Sequence, residues 1–90
     1  MNEKPHVQVA RFIADAIQSR AIQNFGQAGV SLRVGGVVML DPSMTWPDIS
    51  SPTYLRYLGF PIHGDGRIGE NDVELWDEDQ MLARMTLKGD

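Results

Sequence analysis

Apolar residues recur with two different periods along this chain, separating a helical N-terminal part from a β-rich remainder. Within residues 5–25, Val7, Val9, Ala10, Ile13, Ala14, Ala16, Ile17, Ala21 and Phe25 share about half of a helical wheel. Gln8, Arg11, Asp15, Gln18 and Ser19 lie opposite. Pro5 in the first turn and Gly26 after Phe25 supply start and stop signals, so the spacing predicts an amphipathic helix over residues 5–25. His6, Arg20 and Asn24 fall inside the apolar arc near the helix ends, within reach of solvent or a neighbouring cap. A sharper role for Arg20 is an ion pair with an acid from the C-terminal half. Ile22 projects away from the arc and is expected at the surface.

The period shortens at residues 30–40, V-S-L-R-V-G-G-V-V-M-L. Two β-rich runs flank Gly35-Gly36, and glycine accepts the positive φ of a two-residue hairpin turn. Pairing Val34 with Val37 puts Val30, Leu32, Val34, Val37 and Met39 on a core face. Ser31, Arg33, Val38 and Leu40 fall on the other. Val38 and Leu40 would then be covered either by a short helix later in the chain or by a second copy, which makes them the self-association candidates.

Prolines 42, 47 and 52 exclude a central strand or long helix over residues 41–53, where Trp46 and Ile49 suggest an ordered loop. Ser51-Pro52 before and Gly59 after residues 53–58 predict a short capped helix. Residues 60–69 read as turn-rich. Residues 73–76 and 81–87 form either two strands around 77–80 or a strand and a helix capped by Asp77 with Gln80 at N3. Alternation of Ala83, Met85 and Leu87 with Arg84, Thr86 and Lys88 favours the hairpin, while the Met, Leu, Ala and Arg content keeps the helix open. The fold class that follows is α+β, one domain over residues 1–90. Its N-terminal helix packs on a small antiparallel sheet of two hairpins, in the order α-ββ-α-ββ.

Composition narrows the function. Ninety residues at 42% hydrophobic suffice for one small core. The absence of cysteine excludes disulfides, thiolate metal sites and cysteine nucleophiles. No apolar run approaches the ~20 residues of a membrane span. Arg11, Asp15 and Gln18 interrupt any signal-peptide core, so a cytoplasmic location away from membranes is expected.

The net charge of −4 is unevenly spread. Residues 1–40 hold four basic and two acidic side chains, and residues 41–90 hold four basic and ten acidic ones. Glu70, Asp72, Glu74, Asp77, Glu78 and Asp79 form the acidic run. It would repel phosphate, which argues against direct nucleic-acid binding by this half, and it would suit a protein partner with a basic surface.

Other constellations are weaker. Residues 64–69 spell G-x-G-x-x-G, yet Pro61 and His63 precede it and acids follow it, so a glycine-rich turn is the better reading. The same loop offers too few oxygens for calcium. Two histidines leave little for zinc. His63 and Asp65, with Ser50 or Ser51, lack a nucleophile elbow. The aromatics Trp46, Tyr54, Tyr57, Phe60 and Trp76 lack the interleaved basic residues of a nucleic-acid platform. No cofactor is expected.

The leading expectation is a non-enzymatic interaction or accessory protein whose acidic C-terminal region engages a basic partner, with self-association through a sheet face. The alternatives are a small ligand-binding module or enzyme centred on His63 and Asp65 with Trp46 and Tyr54, and a structural subunit of a larger assembly.

Overall fold

Helix α1 (Pro5–Gln18) opens with proline at its first turn, and the Lys4 carbonyl accepts from the amides of Val7 and Gln8. Its buried stripe is Val9, Ile13 and Ala16, spaced by four and three residues. The computed structural model describes residues 4–40 and 56–88. After α1 come β1 (Val30–Val34), α2 (Gly36–Leu40), β2 (Arg56–Tyr57), β3 (Phe60–Gly64), β4 (Asp72–Asp77) and β5 (Gln80–Thr86). The strands form one mixed sheet in the order β2-β3-β1-β4-β5, in which β2 is only a two-residue edge. The result is a small α+β domain with helix α1 N-terminal to the sheet.

Strand β1 is the centre of that sheet. Leu32 pairs with Ile62 of β3 in parallel and with Leu75 of β4 antiparallel. Alternation buries Val30, Leu32 and Val34. They join Val9 and Ile13 of α1, Val38 of α2, Phe60 and Ile62 of β3, and Val73 and Leu75 of β4 in one core. Both helices therefore cover the same sheet face.

Helix α1 is shorter than the apolar arc implies. Arg20 takes a left-handed conformation (φ 67°), and its amide bonds the Ile17 carbonyl while that of Ala21 bonds the Ala16 carbonyl. This pair of bonds is the Schellman termination, built here without the usual glycine. A helical projection loses meaning beyond it. Ile22, expected at the surface, is 1% exposed, and Phe25, expected in the core, is 52% exposed. Arg20 is exposed and makes no ion pair among the described residues.

The hairpin expected at residues 30–40 is also corrected. Only its first run is a strand; the second is α2. Gly35 and Gly36 carry no positive φ, so neither makes a hairpin turn. Gly35 serves close approach instead: a Cβ there would stand 2.0 Å from the Gly69 carbonyl oxygen. The Glu70 carbonyl accepts from the Val37 amide at 3.0 Å, tying the first turn of α2 to the loop before β4. The helical period exchanges Val37 and Val38 between the expected faces and leaves Met39 inward and Leu40 outward. Val38 is fully buried, Met39 is half-buried, and Val37 and Leu40 are 47% and 83% exposed.

Residues 41–55, including the expected loop around Trp46 and the start of the short helix at 53–58, lie outside the described residues. Arg56 and Tyr57 are strand rather than helix, paired with Pro61 and Phe60. Leu58 (φ 52°) and Gly59 (φ 86°) supply the two positive φ values of a tight hairpin turn. Residues 60–64, read as turn, form β3, and only 65–71 are loop. The C-terminal segment adopts the favoured hairpin and not the helix: β4 and β5 pair from Asp72↔Thr86 to Asp77↔Gln80, with a register shift beside Leu75 and Trp76. The observed order is thus α-β-α-ββββ, with a parallel pair at its centre that two hairpins would not produce.

Candidate functional site

The face of the sheet turned away from α1 and α2 is polar, because the alternation that buries Leu32 and Leu75 sends their neighbours outward. Register aligns His63 of β3, Arg33 of β1, Glu74 of β4 and Arg84 of β5 in one row across four strands. Ser31 and Trp76 are paired one row away. The Arg33 guanidinium lies over the Trp76 ring, 3.9 Å from its centroid. The indole Nε1–H in turn donates to Glu74 Oε1 at 2.9 Å. Stacking and hydrogen bond together fix three side chains in place.

Asp72 is nearly buried at the other end of β4, and the fold consumes its carboxylate. Thr86 Oγ1 donates to Oδ1 at 2.6 Å and Arg84 Nη2 donates to Oδ2 at 3.1 Å. The Thr86 hydroxyl is the main cause that holds this carboxyl below its ordinary value; burial opposes it and the Arg84 charge assists. A lowered folded value means the carboxylate stabilises the fold above the unfolded pKa of about 3.9. That contribution disappears as pH falls through the lower folded value. Thr86→Val should therefore move the midpoint of acid unfolding to higher pH. An acid titration followed by circular dichroism checks this, and an unmoved midpoint would contradict it.

The loop after β3 closes a second acid. Arg67 donates from its amide to Asp65 Oδ1 at 2.9 Å, from Nε to Oδ1 at 3.1 Å and from Nη2 to Oδ2 at 3.2 Å. These side-chain bonds, then the amide bond, hold the Asp65 carboxyl low; the charge of Arg33 adds a smaller effect. Ser31, Arg33, His63, Asp65 and Arg67 line a shallow cleft of about 520 Å³ together with Gly64 and Gly66.

The six acids of the run do not share one surface. Asp72 and Glu74 are spent on the polar face. Glu70 is exposed in the loop, its carbonyl holding α2. Asp77, Glu78 and Asp79 lie about 17 Å from Asp72 along β4, at the tip of the β4–β5 hairpin. All three are exposed and none bonds another described residue through its carboxylate. The Glu78 amide donates to the Gly29 carbonyl at 3.3 Å, fastening the tip to the loop before β1.

The other expected sites separate. Val38 is in the core of its own chain and presents no surface to a second copy, while Leu40 is exposed. His63 is exposed and makes no hydrogen bond among the described residues, and Asp65 is turned to Arg67 rather than to His63. Trp46 and Tyr54 lie outside the described residues. Among the described residues, no three histidine or acidic side chains converge in a way that could hold a metal ion. No described helix is long and apolar enough to cross a membrane. Sequence reasoning missed Arg33 stacked on Trp76, although Arg33 between Leu32 and Val34, and Glu74 and Trp76 alternating with Val73 and Leu75, carried the signal.

No protein-family model, curated protein or solved structure matches the chain.

Proposed function

We propose that the chain is a non-enzymatic interaction protein, an accessory or regulatory partner, that docks the acidic tip of its β4–β5 hairpin against a basic protein surface. The observation that supports this reading is the division of labour among the acids. Asp72 and Glu74 are engaged by Thr86, Arg84 and Trp76, whereas Asp77, Glu78 and Asp79 are consecutive exposed residues at the tip whose carboxylates bond no other described residue. Glu78 holds φ 51°, a conformation that costs an L-residue about 1–2 kcal/mol and glycine almost nothing. A charged side chain thus occupies a position where glycine would fit better, and strain of this kind collects at functional sites. Three carboxylates on a short turn steer a cationic partner and fix its register, and they repel nucleic acid. The cysteine-free composition suits a reducing cytoplasm.

The test is charge reversal. With Asp77→Lys, Glu78→Lys and Asp79→Lys combined, capture of the basic partner from native cytoplasm should drop about tenfold or more, read by quantitative mass spectrometry against the wild type. Circular dichroism should stay unchanged because all three side chains are exposed. Undiminished capture by the folded variant would end the proposal.

A further inference from the structure

The cleft beside Arg33 is centred away from the acidic tip, with Ser31, which pairs with Trp76, at its nearer edge. Arg33 pairs with Glu74, three residues before Asp77, which is about 10 Å along the strand. Its guanidinium carbon lies over the Trp76 ring, 3.9 Å from the centroid, a cation–π contact that uses none of the guanidinium N–H donors. Among the described residues none of those donors meets an acceptor. Much of the entropy of ordering a long flexible side chain has already been lost in the stack, and Glu74 holds the stacking ring from below. His63 is its register neighbour on β3, about 5 Å away between strands, and Ser31 is two residues along β1 on the same face. Asp65, the acid lining the cleft, is closed by Arg67 through both of its oxygens.

We propose that this cleft binds the oxyanion group of a small molecule, a carboxylate or a phosphate. The Arg33 rim grips two oxygens in its plane, and the Ser31 hydroxyl and the His63 imidazole donate from the sides. A planar fork with pre-set orientation matches both anions, since each presents two oxygens at the spacing of adjacent guanidinium N–H groups. Glu74 is the opposing charge. It sits across from Arg33 without forming an ion pair with it, and its field weakens anion binding while its hydrogen bond keeps Trp76 in place.

These opposed roles give a test with two signs. The full chain, labelled with nitrogen-15, is titrated at constant ionic strength with inorganic phosphate and, separately, with succinate. Saturable shifts are expected at the amides of Ser31, Arg33 and His63 and at the Trp76 indole N–H; the titrant that saturates identifies the group. Arg33→Gln should weaken binding about tenfold or more, the loss of a charge-assisted pair. Glu74→Gln keeps an acceptor for the indole and removes the charge, so it should tighten binding about threefold. Arg33→Lys, which keeps the charge without the fork, should bind more weakly than the wild type, and it serves where Arg33→Gln fails to fold. Absence of saturation with both anions, or wild-type affinity in the Arg33 variants, overturns the proposal.

Discussion

Gly35→Ala should lower the unfolding free energy by about 3 kcal/mol or more, at the upper end of what overpacking costs. The added Cβ would lie 2.0 Å from the Gly69 carbonyl oxygen and 2.6 Å from the carbonyl carbon and oxygen of Glu70. All three are backbone atoms and cannot rotate aside. Moving them sacrifices the bonds that organise this corner: Gly35 N–H to the Asp72 carbonyl at 2.9 Å, Val37 N–H to Glu70 at 3.0 Å and Asp72 N–H to Gly69 at 3.0 Å. Gly36→Ala is the matched control, because nothing lies within 4 Å of its Cβ position and it opens a helix. It should be neutral or stabilising by about 0.5–1 kcal/mol. Denaturant unfolding of the two variants measures the contrast. A loss below about 1 kcal/mol in Gly35→Ala would contradict the close approach.

Phe60→Ala should cost about 3–5 kcal/mol, and Phe60→Leu far less. Phe60 is 0% exposed and heads the largest fully buried side chains. It begins β3, paired with Tyr57 on one side of a tight turn, so truncation leaves a cavity between the sheet and its helices. In a loop the same change would fall within about 0.5 kcal/mol. The urea midpoint distinguishes β3 from the turn-rich segment that its proline and glycines suggest.

What the sequence made legible depended on whether a signal was local. The front of α1 follows from period and capping. The alternation at residues 83–88 favours the β4–β5 hairpin over the helix that capping and composition keep open, and both α1 and the hairpin stand in the structure. The end of α1 was hidden because Arg20 makes the left-handed turn without a glycine to announce it. Gly35-Gly36 resembles a hairpin turn in any local reading. The partner that explains Gly35 is a backbone segment 34 residues downstream, at Gly69. The parallel β1–β3 pair is a tertiary choice of the same kind. Among the candidate residues, spacing gathered six acids into one run, but β4 carries Asp72 and Glu74 within the sheet and ends at Asp77, with Glu78 and Asp79 in the turn beyond it. That divides the carboxylates used by the fold from those left at the tip. Arg33 escaped notice because cation–π stacking needs Trp76, which is 43 residues away in the chain and adjacent across β1 and β4.

The docking claim is tested most directly by the salt dependence of the captured complex. Its dissociation constant should be measured from about 50 to about 500 mM salt for the wild type and for the chain with Asp77, Glu78 and Asp79 all replaced by Lys. The account predicts that wild-type affinity falls steadily with salt, while the residual affinity of the variant is flat or rises as repulsion is screened. Equal slopes for the two proteins would contradict it.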